Sequence, residues 1–270
     1  MGFGGEVAAC YSKFRRGYDA SVIGWLVDAF ALDKGATVID LGCGTGQLAI
    51  PISARVRAVL GIDPEPEMLE RAAAEAARQR CTNVSWMLGS DRDLGALGAL
   101  LGERSVAAAV VGNAIHLMDH ESLFRAVRPL LRPEGGVAVL ANGTPLWQQD
   151  SGCSRAVRAA LEHWFDTRLA SMCGTDEASR RLYATALAAA GYSDVAETVL
   201  NEYADELDPE WVIGHLYSAI PQDQLPAAEE RPAFEERIRE ALGTNATFTE
   251  HVVVSALTAH VPACPQRLPR

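Results

Sequence analysis

The chain has 270 residues, 49% of them hydrophobic and 22% charged, with a formal net charge of −11 at neutral pH. Such a composition fits a soluble protein that buries a sizeable core, and it lacks the basic surplus by which proteins hold duplex nucleic acid. No run of about 18 apolar residues is present to cross a bilayer, and the start MGFGGEVAACYSKF lacks the basic-then-apolar pattern of a secretory signal, so the expectation is a cytoplasmic protein.

The N-terminal stretch YSKFRRGYDASVIGWL reads as helical, with Tyr11, Phe14 and Tyr18 at spacings that pack on one face. The short apolar run ATVIDL (36–41) reads as a buried strand, followed by the helix QLAIPISA. VRAVLGID (56–63) is a second strand, and EPEMLERAAAEAARQR (65–80) a helix with Pro66 and acids in its first turn and arginines in its last. NVSWMLGS (83–90) is a third strand, a short helix lies near 93–102, and SVAAAVVGN (105–113) is a fourth strand. DHESLFRAVRPLL (119–131) reads as a helix capped by Asp119 and kinked at Pro129; PEGG then turns the chain into the fifth strand, VAVLAN (137–142).

The second half reads as helices over 154–171 and 176–190, then strands SDVAETVLNEY (193–203) and FTEHVVVSAL (248–257). Two further helices, DPEWVIGHLYSAI and RPAFEERIREAL, lie between those strands, far more chain than a hairpin needs, which suggests a lid or a pocket wall. The expected fold class is α/β: a Rossmann-like, seven-stranded, mostly parallel sheet with helices on both faces, an N-terminal helical segment and helical insertions forming a substrate lid. The expected division is a helical cap (1–35), a ligand-binding core (36–142), the rest of the sheet with helical insertions 143–175 and 203–246 around the acceptor pocket (143–260), and a flexible tail (261–270).

In TVIDLGCGTGQL, Asp40 and then Gly42, Gly44 and Gly46 stand where the first strand turns into the first helix. Ligands of open parallel sheets bind beyond the carboxyl ends of the strands, and glycines bring bare backbone against them. The spacing Gly-x-Gly-x-Gly departs from the Gly-x-Gly-x-x-Gly fingerprint of dinucleotide folds, and Asp40 two residues before the first glycine would repel a pyrophosphate and welcome a cation.

VIDLGCGTG resembles the first motif of the class I S-adenosylmethionine-dependent methyltransferases, and the likeness extends over roughly residues 10–142, closest to members that act on small molecules. The resemblance implies S-adenosyl-L-methionine as cofactor, with S-adenosyl-L-homocysteine as product. It places Asp63 on both ribose hydroxyls, a role a carboxylate fills by accepting two hydrogen bonds; beside Pro64, Asp63 also suits a helix N-cap. It places Asp91, with Ser90 before it, on the adenine amino group, Asp93 being a substitute, and Met68 over an adenine face, where Met68 is equally suited to the helix core. Tyr11 and Tyr18 of the leader would fold over the methionine end, and Asn113 with Gly112 would line it. His116, in VVGNAIHLMD, resembles the histidine of an FHWMD pattern with Leu117 in place of tryptophan, and stands as the candidate to take the acceptor's proton or hold its hydroxyl.

Trp147, His163, Trp164, Trp211, His215 and Tyr217 fall in the second-half insertions, where packing is the ordinary role. The acidic run NEYADELDPE (201–210) would favour an amine or amino sugar if it rimmed the pocket. Cys10, Cys43, Cys81, Cys153, Cys173 and Cys264 form no CxxC pair and no zinc-spaced cluster, so reduced thiols and no metal are expected. The reading is methyl transfer to oxygen or nitrogen of a small molecule, a secondary metabolite by resemblance, by a monomer or homodimer with no nucleic-acid or membrane partner. An NAD(P)-dependent oxidoreductase, and an S-adenosylmethionine-binding protein or cyclase without methyl transfer, remain the alternatives.

Overall fold

Near-continuous apolar runs ending in glycine or aspartate make strands buried on both faces, and these form the centre of the molecule. The computed structural model describes residues 2–169, 174–243 and 247–263. Seven strands make one sheet: β1 (Thr37–Leu41), β2 (Ala58–Asp63), β3 (Val84–Leu88), β4 (Val106–Gly112), β5 (Leu131–Asn142), β6 (Ser193–Leu207) and β7 (Phe248–His260). Their order is β3-β2-β1-β4-β5-β7-β6, parallel except for β7, which runs antiparallel to both of its neighbours.

Side chains alternate across the sheet as the pleat requires. Ile39, Leu41 and Val111 face one core with Leu94 and Leu97 of α5 (Leu94–Leu101), Phe124 of α6 (His120–Val127) and Leu187 of α8 (Glu177–Ala189). Val38, Ala108 and Val110 face the other, against Leu26 of α2 (Ala20–Ala29) and Ile52 of α3 (Ala49–Ser53). α4 (Pro66–Arg78) begins on Pro66, whose missing N–H is no loss in a first turn.

A third core stands apart from the sheet. Leu161 of α7 (Gly152–Trp164), Leu216 of α9 (Pro209–Tyr217), and Phe234 and Ile238 of α10 (Arg231–Leu242) close around one another. The leader helix α1 (Gly5–Phe14) lies against α9, and Arg15 donates from Nε to the Ser218 hydroxyl at 2.9 Å. Leader and insertions therefore form one roof over the carboxyl ends of the strands.

Four local expectations change. The leader is two helices, because Asp19 caps α2 by accepting from Ser21 and Val22 N–H and the chain runs extended before it. The helix expected to kink at Pro129 ends at Val127, and Pro129 sits in a separate 3-10 turn. PEGG is no turn between elements: β5 starts at Leu131 and bulges through 132–135, so that Leu131 pairs with Val106 and Gly136 with Ala108. The helix expected over 154–171 ends at Trp164, with Phe165 as its C-cap. Of the earlier expectations, residues 170 and 171, Cys173, Cys264 and most of the 261–270 tail lie outside the described residues. No described helix is long and apolar enough to cross a membrane, and no group of metal-ligating side chains occurs among the described residues.

Candidate functional site

The elbow after β1 is held by two strand-end carboxylates. Gly42, Gly44 and Gly46 have φ of 65°, 53° and 88°, the left-handed region where a side chain is strained. Asp40 accepts from the Ala49 N–H at 2.9 Å, anchoring the start of α3. Asp63 accepts from the Gly44 N–H at 2.8 Å and the Glu65 N–H at 3.0 Å, so the end of β2 holds the glycine loop of β1. Glu65, not Asp63, occupies the N-cap position of α4. A carboxylate has about four lone-pair sites, and two of those on Asp63 stay open.

Neither acid has a cationic partner among the described residues. Burial raises the carboxyl of Asp63 above its ordinary value and pushes that of Asp40 up to about 7. A carboxyl raised in this way stabilises the fold fully below its unfolded pKa of about 4 and loses that contribution as pH rises toward 7. Ligand-free protein is therefore expected to lose stability relative to an Asp40→Asn variant across that window, by at most about 4 kcal/mol. Denaturant titrations of both proteins at a series of pH values check this.

Above the elbow lies a cleft of about 490 Å³, a size ordinary for small-molecule sites. Its floor includes Gly42, Gly44, Asp63, Met68, Ser90, Asp91 and Asn113, and His116 stands on its wall. A recess of about 30 Å³ continues inward between Tyr11, Tyr18, Asp40 and Asn113. The Tyr11 ring lies over Gly44, where an added Cβ would stand 3.4 Å from its Cε1. Asn113 adopts a left-handed φ of 53°, and its Oδ1 accepts from the Asn142 N–H at 2.9 Å, which joins the ends of β4 and β5. Asp91 lines the cleft and accepts from the Asp119 N–H at 3.2 Å, whereas Asp93 is used in a capping box with Ser90. Gly46 lies outside the cavity: its missing side chain makes room for Ile50 and Trp86.

His116 sits on the 3-10 turn Ile115–Leu117, backed by Gly174 and open to solvent on one side. Loss of surrounding water and then the charge of Arg15 hold its pKa below the usual imidazole value. Of the second-half aromatic and histidine residues, Trp147 and His215 line the cleft and the other four do not. Trp164 and Tyr217 pack on Phe234, and Trp211 carries the Arg16 guanidinium over its ring at 4.7 Å. The acidic run does not rim the cleft either. Asp205 pairs with Arg16, Glu206 accepts from Thr249, Asp208 caps α9 and Glu210 pairs with Arg239. The sequence-based case for an amine or amino sugar loses its support with that placement.

Several lining residues carried no sequence signal as site residues. Arg15, Arg16 and Asn142 border both cavities, and Glu250, buried on β7, pairs with Arg16 and accepts from Gln149 at 2.8 Å. Asn142 ends β5, so its position at the carboxyl edge of the sheet was the available clue.

The cavity suits an adenosyl sulfonium. Tyr18 Oη and Asn142 Oδ1 are buried, border the inner recess and have no partner among the described residues. Buried polar atoms are ordinarily bonded, so these two and the pair of unmatched carboxylates fit a polar, cationic ligand end.

Residues 38–135 match the family described as "Methyltransferase domain". A Mycobacterium tuberculosis protein named an uncharacterized methyltransferase is 32% identical over 142 residues, 53% of this chain and 52% of the relative. The chain thus spans about half the length of the curated relatives it matches first. Among solved structures, a protein of Anaeromyxobacter dehalogenans provisionally assigned as a type II methyltransferase superposes with a TM-score of 0.57 at 18% identity, covering 92% of this chain and 99% of that one. The YcgJ protein of Bacillus subtilis gives 0.55 at 15% identity, covering 90% and 98%. Residues 38–135 are thus similar to the methyltransferase domain family, and the sheet and its helices share the fold of these solved neighbours.

Proposed function

We propose that this protein transfers a methyl group from S-adenosylmethionine to an oxygen or nitrogen of a small molecule. The observation that carries the reading is the elbow itself: bare Gly44 backbone beneath Tyr11, beside two buried carboxylates with no cationic partner. S-adenosylmethionine, when bound, supplies an electrophilic methyl on a positively charged sulfur.

The open lone pairs of Asp63 accept from both ribose hydroxyls. Met68 covers one adenine face, and Ser90 and Asp91 meet the adenine edge. Asp40, Asn113, Tyr11 and Tyr18 hold the methionine end, the buried carboxylate of Asp40 being drawn toward its ionised form by a neighbouring cation. Gly42 and Gly44 keep that approach clear, and Gly46 packs the helix that follows. His116 faces the acceptor from the β4 side, while the roof of leader and insertions excludes water and positions the acceptor's nucleophile. A roof made of two insertions fits a specialised acceptor of secondary-metabolite type, and residues 1–35 and 143–260 act as its cap and walls.

Purified protein examined by native mass spectrometry is expected to carry, or to take up, S-adenosylhomocysteine, and to release it from S-adenosylmethionine when a matching acceptor is added. Uptake of NADH in its place would replace the reading with an oxidoreductase. Cofactor uptake with no product for any acceptor would leave a binding protein or a cyclase.

A further inference from the structure

His215 belongs to the roof, yet it is one of few residues that border both the cleft and the inner recess; of these two, His116 borders the cleft alone. With the methionine end in the recess and the acceptor in the cleft, as the methyl-transfer reading has them, the two would meet at the junction that His215 borders. The inference rests on the methyl-transfer reading and deepens it.

The orientation of this ring follows from α1. Phe14 is the last residue of α1, and the last carbonyls of a helix lack partners inside it. His215 Nδ1 lies 3.4 Å from the Phe14 carbonyl oxygen. A carbonyl only accepts, so Nδ1 carries the hydrogen, and in a neutral imidazole Nε2 is then the bare acceptor. Gly214 makes the approach possible: a Cβ there would stand 2.3 Å from the Phe14 ring. Trp211 stacks on the imidazole at 5.0 Å and 21°, and Trp147 stands 6.1 Å away, so the ring plane is fixed. Nε2 has no hydrogen-bond partner among the described residues and is not among the sealed polar atoms. It therefore opens toward the cleft.

The charged surroundings favour the same state. Arg15 and Arg16 face the ring from the segment after α1, and Glu250 on β7 is matched to Arg16. Burial, then Arg15, hold the imidazole well below its usual pKa. A lone pair so placed accepts from an O–H.

We infer that His215 Nε2 accepts the hydrogen bond, and then the proton, of a hydroxyl-bearing acceptor, a phenol or an enol. The O–H bond breaks toward Nε2 as the arriving methyl acidifies the oxygen, the electron pair staying on oxygen. That oxygen bonds to the methyl carbon as the C–S pair returns to sulfur, and the proton passes from His215 to solvent. His116, which also lines the cleft, then helps to hold the acceptor.

The test uses the full chain with 15N-labelled histidine. Two-bond nitrogen–proton correlations, read without any ligand, are expected to show His215 protonated at Nδ1 and bare at Nε2 across neutral pH; the signal that disappears in His215→Asn identifies it. Asparagine keeps an N–H donor in reach of the Phe14 carbonyl, so that variant is expected to melt near the wild type and to bind S-adenosylhomocysteine equally well. With S-adenosylhomocysteine bound, phenol is expected to shift the Nε2 resonance of the wild type. A protonated Nε2, or an Nε2 unmoved by phenol up to its solubility limit, overturns the inference. Calorimetry with S-adenosylhomocysteine separates the two levels. Absence of binding sinks the methyltransferase reading and leaves the tautomer standing, whereas normal binding with the wrong tautomer sinks this inference alone.

Discussion

Replacing Asp63 with alanine is expected to weaken S-adenosylhomocysteine binding by about a hundredfold or more. Hydrogen bonds to a charged group contribute about 1.5–3 kcal/mol each, and a ribose diol makes two. The same carboxylate holds the Gly44 and Glu65 N–H groups, so the alanine variant also frees the loop and leaves two backbone donors without their acceptor. Asp63→Asn separates these effects. The amide keeps one oxygen for backbone or ribose but loses the charge and half of the accepting capacity, so an affinity between wild type and alanine is expected. Isothermal calorimetry gives the affinities and thermal melting gives the loop's share. Wild-type affinity in the alanine variant would remove Asp63 from the ligand and with it the main support for the adenosyl reading.

The same residue shows what the sequence discloses and what it withholds. Strands β1 to β4 are legible because each is a short apolar run closed by glycine or aspartate, and their order places Asp40 and Asp63 side by side at one edge. The bulge in β5 is not. Two glycines after Pro133 and Glu134 have the composition of a turn, but each serves close approach: a Cβ on Gly135 would stand 2.6 Å from the Ala107 carbonyl oxygen, and one on Gly136 2.1 Å from that of Ala259. Glycine for a turn and glycine for backbone contact are indistinguishable without the partner strand. The acidic run 201–210 misleads for a related reason, since its partners Arg16, Thr249 and Arg239 are remote in sequence.

The site follows the same division. Residues bound to a strand end or the glycine elbow are placed by local rules, and eight of the eleven expected ligand residues line the main cleft: Tyr11, Gly42, Gly44, Asp63, Met68, Ser90, Asp91 and Asn113. Asp40 and Tyr18 border the recess, and only Gly46 borders neither. The roof side of the cleft is different, because Arg15, Arg16, His215 and Glu250 come from the leader, the insertion and the far strand. They meet only through a third core whose existence depends on Phe234 and its neighbours. An apolar pattern shows that such a core forms but not which polar residues it carries to the cleft.

Alanine at Gly42 and at Gly44 is expected to separate the elbow's structural role from its binding role. Both positions have left-handed φ, 65° and 53°, and that conformation alone costs a non-glycine residue about 1–2 kcal/mol. They differ in what a side chain meets. At Gly42 a Cβ would stand 2.6 Å from the Ala114 Cβ and 2.9 Å from the Met118 Cε. The methionine end can swing aside, but the Ala114 Cβ moves only with the backbone that leads into the His116 turn. Gly42→Ala should therefore lose about 3 kcal/mol of stability and melt roughly 6–12 °C lower. At Gly44 the nearest atom is Tyr11 Cε1 at 3.4 Å, an ordinary contact, so Gly44→Ala should lose only about 1–2 kcal/mol. Its methyl would nevertheless occupy the space beneath Tyr11 where the ligand is expected to touch bare backbone. Its affinity for S-adenosylhomocysteine should fall by about a hundredfold, because a rigidly held cradle relieves overpacking poorly. Melting curves and calorimetry on the two variants should show the larger stability loss at Gly42 and, once unfolded protein is allowed for, a loss of binding at Gly44 out of proportion to its stability. A Gly44→Ala protein that binds the ligand normally would mean that the ligand does not lie on the elbow.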